Sequence, residues 1–285
     1  MRQSRANIIR YLCQRMEPLY PLRECQFIAR MVASELEGCN PMQYLIDPNA
    51  EVELEGLERA ADMLAEGCPV QYVIGHTEFC DHRFSVGEGV LIPRPETEEL
   101  VMWVIEQAKQ IANPRLLDIC TGSGCIAISL KLALENSKVA AIDLSDKALA
   151  IARRNAEDLG AQIDIIREDA LGGMPAIEGL KFDFIVSNPP YIPNSEREQM
   201  HRNVTDYEPE MALFVEDNDP LIFYRSIART AHRLLTERGK LFFEVHHLWA
   251  TATADMLREE GYCDIEIRLD GFGKQRMICC REIAK

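Results

Sequence analysis

Apolar residues fall into two rhythms along this chain, and the change between them divides it. Up to about residue 75 they recur at three to four spacing, as in Ile8, Ile9, Leu12, then Phe27, Ile28, Met31, Val32, then Leu57, Ala60, Ala61, Leu64, which is the spacing of one helix face. Residues 1–75 therefore read as a bundle built from helices only. From about Gly75 to Pro95 the texture shifts to Thr77-Glu78-Phe79 and Arg83-Phe84-Ser85-Val86, short alternating runs parted by Gly87 and Gly89, and these predict a hairpin linker over 76–95. Pro95 then opens a helix with the stripe Leu100, Val101, Val104, Ile105, Ala108. Its first turn holds Glu96, Glu98 and Glu99, where acids suit the helix dipole.

After Asn113-Pro114 strand and helix patterns alternate. Leu116 to Ile119 precedes a helix from about Gly124, and Val139 to Ile142 precedes one from about Ser145. Ile163 to Ile166, Phe182 to Ser187, a helix through Leu221 to Leu235, and a strand Lys240 to Val245 follow. This order predicts an α/β fold with a doubly wound, Rossmann-like, mostly parallel sheet over 96–285. Cys263 to Arg268 and Gln275 to Arg281 leave no room for a helix between them, so they should pair antiparallel at one edge. That ending departs from a nicotinamide-binding Rossmann domain.

Composition narrows the partners. A net charge of −15 over 285 residues argues against direct nucleic-acid binding, which needs a clustered basic surface. The ten cysteines include the vicinal pair Cys279-Cys280 and no Cys-x-x-Cys, a usage that fits free thiols in a reducing cytosol. No apolar run nears the roughly 20 residues that span a bilayer, and Met1-Arg2-Gln3-Ser4 carries no apolar signal core. A cytoplasmic monomer without membrane association is the expectation.

The chemistry gathers at the predicted strand ends. Asp118-Ile119-Cys120-Thr121-Gly122-Ser123-Gly124 lies where the first strand of the sheet meets its helix, a place where glycines let backbone approach a ligand. Such a turn also occurs in dinucleotide folds and as a plain tight turn. Asp143 closes the next strand about twenty residues on, where a carboxylate accepts ribose hydroxyls of NAD and S-adenosylmethionine alike; its bland alternative is a helix N-cap, a role better suited to Ser145 or Asp146. Asp118, ahead of the glycines, would repel a pyrophosphate and suits a methionine ammonium group. Asp169 suits an adenine amino group, or is a solvated loop acid.

Asn188-Pro189-Pro190-Tyr191 directly follows Phe184-Ile185-Val186. Two prolines fix φ and remove two amide donors, leaving the Asn188 side-chain oxygen and the Pro189 carbonyl as rigidly held acceptors. With the aromatic face of Tyr191, that frame suits a planar NH2 on a carboxamide or a nucleobase. A proline turn ending a strand is the alternative.

Together, Asp-x-x-Thr-Gly-Ser-Gly at 118–124, Asn-Pro-Pro-Tyr-Ile-Pro at 188–193, Leu-Ile-Pro-Arg-Pro-Glu-Thr-Glu at 91–98 and Tyr-Glu-Pro-Glu-Met-Ala-Leu at 207–213 resemble the peptide chain release factor glutamine methyltransferases. The resemblance spans nearly the whole chain, with Gly75, Phe79, Arg276 and Arg281 also at matching positions. It implies S-adenosyl-L-methionine as donor and, as substrate, the glutamine of the Gly-Gly-Gln loop of release factors, methylated on its side-chain nitrogen. By position it places Cys120, Thr121, Gly122, Ser123, Gly124, Asp143 and Asn188 at the cofactor, beside Asp118 and Asp169 from the reading of the strand ends above. Asn188, Pro189, Pro190 and Tyr191 hold the glutamine and carry the catalysis, and the helical domain grips the release factor. The chain departs from the family pattern at Cys120, Glu96, Ala170, His246 and Trp249.

Other classes differ in testable ways. A nucleic-acid amino methyltransferase shares the Asn-Pro-Pro-Tyr chemistry but should be basic, and a non-catalytic binding protein of this fold need not keep Asn188 to Tyr191. His246-His247 suggests a metal pair, but neighbours on a strand face opposite ways and no carboxylate or Cys cluster accompanies them, so no metal is expected. His76 and His82 read as surface groups.

Overall fold

The computed structural model describes residues 2–282, which form two compact units. One holds the chain up to His76 together with His201–Tyr207; the other holds Thr77–Met200 and the chain from Glu208 onward.

In the first unit α1 (Arg5–Met16), α2 (Leu22–Glu37), α3 (Gln43–Ile46), α4 (Leu57–Ala65) and α5 (Val70–Ile74) follow one another. Ser4 caps α1 by accepting from the Asn7 amide, and Gly38 closes α2 in the left-handed region that only glycine enters freely. Ile8, Leu12 and Met16 of α1 pack with Ala29 and Val32 of α2 and Ala61 and Leu64 of α4, so the helical spacing did locate this core. The helices-only reading needs amending, because β1 (Gln3–Ser4) and β2 (Glu51–Val52) pair antiparallel. Phe27, expected on the inner stripe of α2, is 60% exposed. His76 is also not a surface group: its side chain is 15% exposed, with Nε2 3.2 Å from Glu35 Oε2. The segment 201–207 belongs to this unit through a contact that contiguous reading cannot reveal: Tyr207 Oη donates to the Glu66 carbonyl at 3.0 Å.

The second unit begins with the hairpin, β3 (His76–Phe79) and β4 (His82–Ser85), whose two-residue turn puts Cys80 and Asp81 at φ 48° and 61°, the conformation that matches strand twist. Phe79 and Phe84 meet edge to face at 5.9 Å and are buried. There follow α6 (Pro95–Ala108), β5 (Arg115–Ile119), α7 (Cys125–Ala133), β6 (Lys138–Asp143), α8 (Asp146–Asp158), β7 (Asp164–Arg167), β8 (Phe182–Ser187) and β9 (Ile192–Pro193). After the excursion carrying α9 (Arg202–Thr205) come α10 (Glu210–Leu213), β10 (Phe214–Val215), α11 (Ile222–Leu234), β11 (Leu235–Glu244), α12 (Ala250–Glu259), β12 (Tyr262–Leu269) and β13 (Gln275–Glu282).

The main sheet has seven strands in the order β12-β13-β11-β8-β5-β6-β7. Pairs from β7 through β11 are parallel, and β13 runs antiparallel to β11 and β12, as the closing pattern predicts. Apolar cores cover both faces: Leu117, Ile119, Ile185 and Phe243 lie in one, Leu116, Phe184, Val186 and Phe242 in the other, so alternate residues of buried strands feed opposite layers. β5 sits at the centre of the five parallel strands, with its successors β6 and β7 on one side and β8 and β11 on the other. The chain reverses its winding there, and a crevice opens beyond the carboxyl ends of these strands. All ten cysteines are free thiols.

Candidate active site

The loop after β5 is held from below and from both sides. Gly122 and Gly124 take φ of 57° and 82°, and so does Cys120 at 62°. A side chain there carries strain of roughly 1–2 kcal/mol, in a conformation that favours glycine. A Cβ on Gly124 would stand 2.9 Å from Ile128 Cδ1. The Thr121 amide donates to the Ile142 carbonyl at 3.0 Å and the Gly122 amide to Asp143 Oδ2 at 2.9 Å. Asn155 of α8, buried, donates through Nδ2 to the carbonyls of Ser123 at 2.9 Å and Ser85 at 3.0 Å.

Of the three strand-end acids, two reach the crevice. Asp143 lines it, with Oδ1 accepting from the Ser145 amide at 2.9 Å; Ser145 is indeed the cap of α8. Asp169 lines it too, accepting from the Leu171 amide at 2.8 Å. Asp118 does not. It is fully buried beneath the loop, Oδ2 accepting from Thr121 Oγ1 at 2.5 Å and the Ala127 amide at 3.2 Å. The expectation that Asp118 faces a ligand is corrected: its side chain turns down into the start of α7. Oδ1 has no partner, and burial pushes the carboxyl up to about 7, with Asp143 adding repulsion and the two hydrogen bonds opposing it.

Ser187 at the end of β8 locks to β5 through Oγ donating to the Ile119 carbonyl at 2.7 Å, which places Asn188 beside the glycine loop. Asn188 Nδ2 donates to Thr97 Oγ1 at 3.3 Å, Thr97 Oγ1 donates to Glu244 Oε2 at 2.6 Å, and Tyr191 Oη donates to Glu244 Oε1 at 3.0 Å. Thr97 and Glu244 are buried. Burial pushes the Glu244 carboxyl up, opposed by the Thr97 and Tyr191 hydroxyls and the Arg276 charge. Residue-by-residue reading singled out neither Thr97 nor Glu244. The signal was present for Glu244, an acid closing the apolar run Leu241-Phe242-Phe243, as Asp118 and Asp143 close theirs.

The strand ends open onto a cavity of about 380 Å³. Cys120, Thr121, Gly122, Ser123, Asp143, Asp169, Asn188 and Pro190 line it as expected; Asp118, Gly124, Pro189 and Tyr191 do not. Its remaining wall includes Gly89, Val90, Leu91, Pro93 and Arg94 from one segment and Pro209, Met211, Ala212 and Phe214 from another. These segments are joined by Glu208, buried, which accepts from Arg94 Nη2 at 2.5 Å and from the Ile92 amide at 2.9 Å. Ala170 also lines the cavity. Arg94 is the sole basic side chain on this wall and is already paired. Three carboxylates, Asp143, Glu168 and Asp169, and an amide oxygen suit a ligand rich in hydroxyl and amino donors and oppose a pyrophosphate.

His246 and His247 follow the end of β11, so their rings do not face opposite ways as on a strand but lie 4.8 Å apart. His246 Nε2 is 3.2 Å from Glu196 Oε2. Among the described residues no group of three His, Cys, Asp or Glu could hold a metal.

Residues 97–206 match the family described as the methyltransferase small domain. The chain is 41% identical over 278 residues to the release factor glutamine methyltransferase of Bacteroides thetaiotaomicron, covering 95% of this chain and 98% of that one. It is 39% identical to the enzyme of the same name from Flavobacterium psychrophilum, covering 93% and 94%. Among solved structures, the hMettl16 catalytic domain in complex with the MAT2A 3′UTR hairpin 1 shares the fold with a TM-score of 0.56, at 17% identity over 79% of this chain and 81% of that one.

Proposed function

The chain belongs to the release factor glutamine methyltransferase family, and on that footing we propose that it methylates the side-chain amide nitrogen of the glutamine in the Gly-Gly-Gln loop of peptide chain release factors. S-adenosyl-L-methionine, when bound, supplies an electrophilic methyl group carried on a sulfonium. The cavity wall fits it. Asp143 would accept from the ribose hydroxyls and Asp169 from the adenine amino group, and Asp118, with its unpartnered Oδ1, holds the loop between them and adds negative potential from below.

The observation that carries the substrate reading is the carboxamide of Asn188, fixed by its bond to Thr97. An amide nitrogen is a weak nucleophile because its lone pair is delocalised. Asn188 Oδ1 and the Pro189 carbonyl, accepting its two N–H bonds, would hold it in line for attack and favour localisation of that pair. Positive charge grows on the nitrogen as the N–C bond forms and the methyl–sulfur bond breaks to leave a neutral thioether, and both hydrogen bonds strengthen with it, so stabilisation is greater in the transition state than in the ground state. No base is required before attack; one N–H proton leaves afterwards. Positioning of this kind supplies up to roughly 7–11 kcal/mol in the best intramolecular cases. Tyr191, tied to Glu244, would back the planar amide and exclude water.

The helical unit would grip the release factor. It presents Leu22, Phe27, Leu45 and Ile46 to solvent, apolar side chains that a protein substrate would cover. The net charge of −15 favours a protein over a nucleic acid substrate, and no described helix is long and apolar enough to cross a membrane. Transfer of labelled methyl to a purified release factor tests the reading: label should enter the factor with its Gly-Gly-Gln loop and not one carrying alanine for that glutamine. Equal labelling of both would refute it.

A further inference from the structure

Thr97 stands on the first turn of α6 and Glu244 at the last residue of β11, so two elements far apart in sequence meet behind Asn188. A threonine hydroxyl has one proton. At 2.6 Å from Glu244 Oε2 that proton is committed to the carboxylate, which in its ionised form is an acceptor-only group and whose other oxygen is occupied by Tyr191 Oη. Thr97 Oγ1 is then left with lone pairs alone, and it can meet the Asn188 side chain only at its NH2 end, as the 3.3 Å contact with Nδ2 records. A flipped carboxamide would set two oxygens against each other in a partly buried place, at a penalty of about 1 kcal/mol or more for the unpaired group.

We propose that Thr97, oriented by Glu244, is a positioning residue that fixes which way the Asn188 carboxamide faces, keeping Oδ1 toward the substrate nitrogen. The relay gives an otherwise two-way side chain a single polarity. It rests on the glutamine methyltransferase reading for its catalytic meaning, while the orientation itself is independent of substrate.

The test compares Thr97→Val, which keeps the shape and removes the hydroxyl, with Thr97→Ser, which restores it. In the free protein, exchange of the Asn188 side-chain NH2 protons with solvent is followed by NMR. The valine variant should exchange at least about tenfold faster, equivalent to roughly 1.4 kcal/mol of lost protection, and the serine variant should return toward wild type. Tyr191→Phe, which takes a donor from the same carboxylate without touching Asn188, should leave the exchange unchanged and so controls for general loosening. In methyl transfer to a release factor, Thr97→Val should lower kcat about tenfold or more with KM and S-adenosyl-L-methionine affinity nearly constant, and serine should recover most of it. Unchanged Asn188 exchange in the valine variant, or a serine variant as impaired as valine, would overturn the relay. Protection lost as expected, but with wild-type enzyme inactive on release factor glutamine, would overturn the substrate reading alone.

Discussion

Oδ2 of Asp143 lies 2.9 Å from the Gly122 amide nitrogen, so the end of β6 holds the loop that leaves β5. The same carboxylate takes the Ser145 amide on its other oxygen at 2.9 Å. Asp143→Ala strands two amides, each at about 1–3 kcal/mol if it finds no water. We expect S-adenosyl-L-methionine affinity to fall at least about tenfold, or roughly 1.4 kcal/mol, with a smaller fall for Asp143→Asn. Calorimetric titration measures both; full affinity in the alanine variant would remove Asp143 from the cofactor site.

Arg94 and Glu208 tie the two cavity-lining segments that follow the hairpin and the 201–207 excursion. Arg94→Ala would leave Glu208, whose side chain is 1% exposed, facing only the Ile92 amide. Breaking a buried pair costs about 3–5 kcal/mol; because Arg94 is about one-third exposed, the lower end is expected. Arg94→Lys should recover part of it, since a point charge replaces a fork. Chemical denaturation of the three proteins decides the order.

Asp118 makes stability depend on pH in a stated direction. Its folded carboxyl titrates near 7, above its ordinary 3.8. Below about pH 4 it is protonated folded or unfolded. As pH rises toward 7 the unfolded chain loses its proton first, so stability drops by up to about 1.4 kcal/mol per pH unit and levels off above that. Asp118→Asn removes this limb. The difference in unfolding free energy between wild type and variant, measured from pH 4 to 8, should therefore shift against wild type; a flat difference would mean that Asp118 is ionised throughout.

Two glycines of one loop should respond differently. At Gly124 an added Cβ meets Ile128 Cδ1 at 2.9 Å and Ala152 Cβ at 3.2 Å, whereas at Gly122 it meets nothing within 4 Å. Gly122→Ala carries only the left-handed backbone strain, roughly 1–2 kcal/mol; Gly124→Ala adds overpacking of about 1–3 kcal/mol. Thermal unfolding should rank them accordingly.

The sheet was legible because β5, β6, β8 and the Leu241–Phe243 end of β11 are short, largely apolar runs buried on both faces, and because β12 and β13 follow each other too closely for a crossover. Asp143, Asp169 and Asn188 were legible for a related reason: each lies within three residues after an apolar run, and such ends converge on one crevice. Asp118 obeys that rule in sequence but not in space, since the turn at Cys120 begins after it and leaves its side chain under the loop. Thr97 was hidden on a helix start, where it reads as an ordinary first-turn residue. The grouping of 201–207 with the helical unit, in which Tyr207 Oη reaches the Glu66 carbonyl, has no periodic signature. His246 and His247 were assigned to strand geometry, although β11 ends at Glu244, two residues before the first of them.

The most direct measurement is tandem mass spectrometry of a release factor incubated with the enzyme and S-adenosyl-L-methionine, locating the added methyl within the Gly-Gly-Gln peptide. The account predicts one methyl group, on the glutamine side-chain nitrogen, absent when Asn188→Ala replaces the wild type. A methyl group on any other residue, or undiminished methylation by the Asn188→Ala enzyme, would contradict it.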